Sequence, residues 1–410
     1  MNDLTIFKDE SGLTIHFIKK ENFSSSYCSL AFNFGGNDLT YEINNEIKHF
    51  KPGIAHFLEH MNFKMENGVD ATKEFNKIDA NVNAYTSIDK TMYFFDTLYD
   101  IKEPLKLLLD VIFTPNFKNI KTERKIILSE YERSIDDPYT KIVSNLSKKT
   151  YGNHEMSKYI LGNKTSINSI TPFDLEEAYN LFYKPSNAIL TIVSDSNIDE
   201  IKEVIKNSMK KYTPNSLNAK LIYEKPLIKN DSYTKMEANI YDNMLYINIR
   251  LDNLNYKDPI LNEKLNIILS SLFLPKMPFF KSIENLLEDK NVDFTMNSLR
   301  NHSVVTLYFI TNDANKLKKI IENKLRNLSI EDINLSLIEE EKMESISNYY
   351  RYIDSVSSLG AKYSDLIIEG SSLFELKDKV RQLGINDLQS IINEIKNSCY
   401  TFLKVLPKIV

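Results

Sequence analysis

The chain reads as an α+β protein built from two tandem domains, and three observations predict this. Its 410 residues exceed the usual size of one compact domain. Each half runs strands, then helices, then strands, so the two halves resemble a duplicated α+β unit. The cluster Thr213-Pro214-Asn215-Ser216 punctuates the chain midway and is the best linker candidate. These features place one domain at residues 1–213, a linker at 214–224 and a second domain at 225–410.

In the first half, Thr5–Lys8 and Leu13–Ile18 flank the turn pair Ser11-Gly12 and predict a hairpin. Tyr27–Phe34 is a further strand that ends at Gly35-Gly36, and a polar loop follows. After Pro52-Gly53 the pattern turns helical from Ile54 to about Lys64. A second amphipathic helix is expected over Thr72–Ile78, then strands over Asn81–Ser87 and Thr91–Leu98. Leu105–Ile112 and Thr122–Ile135 predict helices, the latter stopping at Asp136-Asp137-Pro138. Ile189–Val193 is a short apolar strand, and Ile198 to about Lys211 a helix.

The second half repeats this order in outline. A strand is expected over Asn239–Leu251, helices over Leu261–Leu272 and Pro278–Leu287, and strands over Phe294–Leu299 and Ser303–Ile310. Helices fill most of the remainder, before a final strand near Tyr400–Leu406.

Composition narrows the function classes. The composition is that of a globular protein, 42% hydrophobic and 26% charged, and a net charge of −5 argues against a general nucleic-acid binder. Two distant cysteines, Cys28 and Cys399, exclude a disulfide-stapled scaffold and a cysteine-rich metal site. No stretch approaches the length of a membrane-spanning helix. The N-terminus lacks a charged start followed by an apolar run, so a cytoplasmic location is expected.

The informative segment is His56-Phe57-Leu58-Glu59-His60. On a helix, residues three and four apart share a face, so His56, Glu59 and His60 point the same way. Two imidazoles one turn apart suit Zn²⁺, and a carboxylate beside them can take a proton from water that the metal acidifies. Two histidines leave a catalytic zinc one protein ligand short. Glu123 and Glu130, seven residues apart on one helix face, are both candidates, whereas Glu132 lies off that face. Spacing alone does not choose between them.

The HxxEH order marks an inverzincin, and the chain resembles the M16 metallopeptidases, the group of pitrilysin and mitochondrial processing peptidase. The matching segments are Gly53–Lys64, Asn83–Ser87, Glu123–Glu130, Ile160–Gly162 and Tyr183–Leu190. They fall in the family's order across roughly the first half; the second half matches only in size and layout. The resemblance implies two tandem homologous domains, each a mixed or antiparallel sheet packed with helices, together half of a clam-shell. It makes Glu130 the third zinc ligand, Glu123 a supporting acid and Glu59 the general base. It also makes Asn83, Ala84, Tyr85 and Thr86 the edge strand on which a peptide substrate lies by β-augmentation. The interval from His60 to Glu130 is a few residues shorter than the family's usual one, as a trimmed loop would make it.

Active members also carry an Arg and a Tyr in the second domain. At the corresponding positions stand Leu287 and Phe294, which have neither a donor nor a hydroxyl. A shifted correspondence would use Arg300 and Tyr308 instead. The resemblance therefore implies a metal-bearing catalytic subunit that acts on peptides or precursor-peptide leaders, with a homologous partner chain supplying the Arg/Tyr pair. A self-sufficient homodimeric oligopeptidase and a non-catalytic scaffold subunit are the competing expectations.

Overall fold

The computed structural model describes residues 3–65, 68–212, 218–226, 230–255, 257–290, 292–298 and 301–408. The chain folds into two compact units that interleave in sequence. Unit 1 comprises Met1–Glu132, Lys158–Tyr223 and Tyr350–Gly370; unit 2 comprises Arg133–Ser157, Glu224–Tyr349 and Ser371–Val410. The whole linker cluster Thr213–Ser216 and Arg300 lie outside the described residues. Among the described residues no helix is long and apolar enough to cross a membrane.

Unit 1 contains strands β1 (Asp3–Lys8), β2 (Thr14–Lys19), β3 (Ser26–Phe32), β4 (Thr40–Ile43), β5 (Glu46–His49), β6 (Ala80–Thr86), β7 (Thr91–Thr97), β8 (Ala188–Ser194) and β9 (Ala219–Leu221). Six of them form a mixed sheet in the order β1-β2-β8-β3-β7-β6, with only β2 and β8 parallel. β6 is therefore an edge strand. The sheet is buried on both faces, which explains why every residue of β3 is buried. Cys28, Leu30 and Phe32 enter the main core with Ile54, Phe57, Leu58 and Met61 of helix Ile54–Asn62. The intervening Ser29 bonds Ser364 at 2.7 Å on helix Val356–Ile368, which covers the opposite face. That helix comes close: a Cβ on Gly360 would sit 2.1 Å from the ring of Tyr27.

Unit 2 contains β10 (Ser232–Ala238), β11 (Met244–Leu251), β12 (Asp293–Ser298), β13 (Ser303–Ile310) and β14 (Cys399–Pro407). They form one sheet in the order β10-β14-β11-β13-β12, with β10 and β14 parallel. Helix Pro138–Tyr151, from the first half of the chain, packs on this sheet, with Ile142 and Leu146 in its core. The two halves thus exchange one helix each.

Three expectations need correction. The polar loop after Gly36 contains the β4–β5 hairpin, whose turn residues Asn44 and Asn45 both adopt positive φ (53° and 62°), the requirement of a tight primed turn. The strand expected over Asn239–Leu251 begins only at Met244: residues 239–243 are the connection from β10 to β11, where Tyr241 projects fully into solvent. The Asp137-Pro138 stop also starts a helix: the Asp137 side chain accepts from Thr140 N–H at 2.7 Å, and Pro138 occupies the first turn.

Unit 2 also holds a buried histidine. His302 Nε2 lies 2.9 Å from the Tyr151 hydroxyl, and its Nδ1 lies 2.6 Å from Asn301 Oδ1. Burial depresses its pKa from 6.5 to about 4. The folded state therefore favours the neutral ring, and the unfolded chain takes up the proton first as pH falls. The contribution is complete above pH 6.5 and is lost progressively as pH falls toward 4, about 3 kcal/mol in all. Melting curves of wild type and His302→Gln across this range check it. The variant starts less stable but loses less on acidification.

Candidate metal centre

Helix Ile54–Asn62 begins where Gly53, at φ 93°, turns the chain into the first turn. Only glycine fits here on two counts. The φ is left-handed, and a Cβ would meet the Leu161 carbonyl oxygen at 2.6 Å. Gly162 is the reciprocal case, since its Cβ would meet Pro52 O at 2.3 Å. Ile54, Ala55, Phe57, Leu58 and Met61 are buried in the core, which leaves Glu59 and His60 only half-buried.

The second contributor is helix Ile120–Asp136. Arg124 ties it to the 163–170 segment: Nε donates to Ile167 O at 3.1 Å and a terminal nitrogen donates to Ile170 O. With the helix so held, Glu130 Oε1 lies 3.6 Å from His56 Nε2 and Glu130 Oε2 lies 3.4 Å from His60 Nε2. Ligand atoms from the three residues lie within 4.8 Å of one another, and the two rings stand 4.8 Å apart at 60°. Tetrahedral zinc with bonds of ~2.0–2.2 Å spaces its ligands by roughly 3.4 Å. The carboxylate–imidazole separations match that spacing and are too long for good hydrogen bonds. The donor set, two imidazoles and one carboxylate, is that of a catalytic zinc with a position left for substrate. The residues present fit the ion.

Glu123 stands behind the site rather than in it. Its Oε2 accepts from His60 Nδ1 at 3.2 Å and its Oε1 from Lys64 Nζ at 2.9 Å. A carboxylate can only accept, so His60 carries a proton on Nδ1, which leaves Nε2 as the nitrogen available to a metal. Burial raises the Glu123 pKa, but His60 and Lys64 outweigh it and hold the carboxyl below its usual range. The nearby His56 and His60 rings hold the Glu130 carboxyl well below that range. Burial opposes charge on His60, yet Glu123 and Glu130 together raise its pKa to about 9. His56 Nδ1 is buried without a hydrogen-bond partner.

Asn83, Ala84, Tyr85 and Thr86 end β6, with no strand beyond it in the sheet among the described residues. Ala84 N–H is taken by Asn83 Oδ1 at 2.8 Å and so turns away from β7, toward the free edge. Thr86 donates to Glu59 Oε2 at 2.5 Å and joins this strand to the HxxEH helix. Sequence reasoning assigned no role to Lys64 or to the Thr86–Glu59 contact. Lys64 was findable, four residues past His60 and hence one turn on; the Thr86 contact spans 27 residues and had no local signal. In unit 2, Leu287 is buried and bridged to Thr311, and Phe294 lies on edge strand β12. Tyr308 donates to Asp293 at 2.5 Å, which raises its pKa to about 12.

Comparison with known proteins agrees with these features. The family model described as Insulinase (Peptidase family M16) matches residues 45–164, and that described as Peptidase M16 inactive domain matches residues 169–345. The zinc protease YmfH of Bacillus subtilis is 27% identical over 98% of this chain and 96% of that protein. The human mitochondrial-processing peptidase subunit beta is 29% identical over 48% of this chain and 40% of that protein. The crystal structure of an M16-like peptidase from Alicyclobacillus acidocaldarius superposes with a TM-score of 0.88 at 21% identity, covering 99% of each chain. With both family models matching in tandem over most of its length and the His56–His60–Glu130 cluster in the first of them, this chain belongs to peptidase family M16.

Proposed function

We propose that the chain is a zinc-dependent endopeptidase, the metal-bearing catalytic subunit of a pair, acting on peptides or precursor-peptide leaders. The observation that carries this is the convergence of His56, His60 and Glu130 beside a free strand edge, with Glu59 bonded to that edge. When bound, zinc supplies Lewis acidity toward water and the scissile carbonyl. Glu59 takes the proton of the attacking water and returns it to the leaving amine. β6 aligns an extended peptide through main-chain hydrogen bonds, where a substrate carbonyl takes over the Ala84 N–H from Asn83 Oδ1. Such binding reads backbone more than side chains.

The partner half of the proposal rests on the residues at the two positions in unit 2 where the family's Arg and Tyr would stand. Leu287 offers no donor and Phe294 no hydroxyl, while the Tyr308 hydroxyl is engaged by Asp293. A homologous chain bearing an Arg/Tyr pair would complete the site. A chelator test checks the metal half: 1,10-phenanthroline abolishes peptide hydrolysis and added Zn²⁺ restores it. Robust hydrolysis by the purified chain alone would contradict the need for a partner; activity surviving chelation would contradict the zinc assignment.

A further inference from the structure

Successive residues of a strand point to opposite faces, and the end of β6 is held from both. Thr86 turns to the face covered by helix Ile54–Asn62 and bonds Glu59. Tyr85 turns to the other face, where its hydroxyl donates to Asp365 Oδ1 at 2.5 Å on helix Val356–Ile368. The same Asp365 oxygen lies 3.1 Å from Lys90 Nζ, and Glu369 Oε1 lies 2.7 Å from it. Lys90 ends the turn that joins β6 to β7, and its side chain is only 9% exposed. Two carboxylates therefore converge on one buried ammonium at the tip of the hairpin that carries the free edge. None of these groups touches His56, His60 or Glu130.

We infer that Asp365 is a positioning residue for peptide binding: through Tyr85 and Lys90 it fixes the free edge of β6 against Glu59. Helix Val356–Ile368 thereby sets the register at which a peptide main chain meets the general base, although it comes from the other half of the chain. The inference rests on the reading of β6 as the peptide-binding edge and of Glu59 as the base. Its physical content is the adjacency of Tyr85 and Thr86. A strand end that drifts off Asp365 no longer presents an ordered edge to the peptide main chain, so the cost falls first on binding. Asp365 is replaceable without stranding the Lys90 charge, because Glu369 remains beside it.

The test uses the zinc-loaded full chain with any partner that copurifies, and one internally quenched peptide that it cleaves. Asp365→Ala and Tyr85→Phe are each expected to raise KM about tenfold with little change in kcat. Zinc content stays at the wild-type value. The double variant is no worse than Asp365→Ala, and Asp365→Asn, whose amide oxygen still accepts from Tyr85, restores most of the affinity. In parallel, hydrogen exchange at residues 82–90 quickens in Asp365→Ala and is unchanged elsewhere. Unaltered KM, or losses in the two single variants that multiply, would overturn the inference. If the wild type together with its partner chain cleaves no peptide, the peptidase reading fails by itself. The exchange data then decide the pinning alone: quickening confined to the hairpin supports it, and no change refutes it. Should Asp365→Ala fail to fold, Tyr85→Phe and Asp365→Asn carry the same comparison.

Discussion

Replacing Glu59 by Gln is expected to lower peptide hydrolysis by about 10²–10⁴-fold while zinc content stays at the wild-type value. Gln is nearly isosteric and still accepts from the Thr86 hydroxyl, so the 2.5 Å contact that fixes the side chain survives. What disappears is the capacity to take a proton. Glu59 lies on the helix between the two histidines but is not among the converging ligand atoms, so the metal cluster does not depend on it. The loss should fall on kcat, because peptide is held by the main chain of β6. Elemental analysis and steady-state kinetics on the same preparation check both halves. A variant that loses its zinc along with its activity would show Glu59 to be structural.

The second large effect is loss of the metal in Glu130→Ala. Among the described residues its carboxylate is the only acidic group whose oxygens face both Nε2 atoms. Its side chain is 42% exposed, so truncation leaves no buried cavity and the fold should be kept. Zinc affinity should fall by more than about 100-fold, with hydrolysis lost in step. Glu123→Gln is the graded control: it weakens the partner that orients His60 but removes no ligand, for which about 10–100-fold is expected. Competitive titration of zinc against a chromophoric chelator ranks the three proteins. Equal zinc affinity in Glu130→Ala and wild type would remove Glu130 from the ligand set.

The parts of this molecule that were legible in sequence are those encoded by local periodicity. His56, Glu59 and His60 fall on one helix face at three- and four-residue spacing, and the helix forms at Ile54–Asn62. Glu123 and Glu130 share a face on Ile120–Asp136, although spacing alone did not separate ligand from support. That choice needed the family resemblance, and in the structure Glu130 faces both rings whereas Glu123 bonds the back of one. What local reading could not reach is nonlocal. The exchange of helices Pro138–Tyr151 and Val356–Ile368 between the sheets depends on packing across more than a hundred residues, and no propensity reports it. The hairpin at Asn44-Asn45 and the capped start at Asp137-Pro138 were a different kind of miss. Both carried a turn or capping signature that was read as interruption rather than as the start of an element.

The account stands on a divalent ion among His56, His60 and Glu130. An anomalous-difference map at the zinc absorption edge, from crystals of the purified chain, tests it most directly. One strong peak within bonding distance of both Nε2 atoms and a Glu130 oxygen is the predicted result. A peak elsewhere, or a zinc-supplemented crystal with no density among these three side chains, would contradict it.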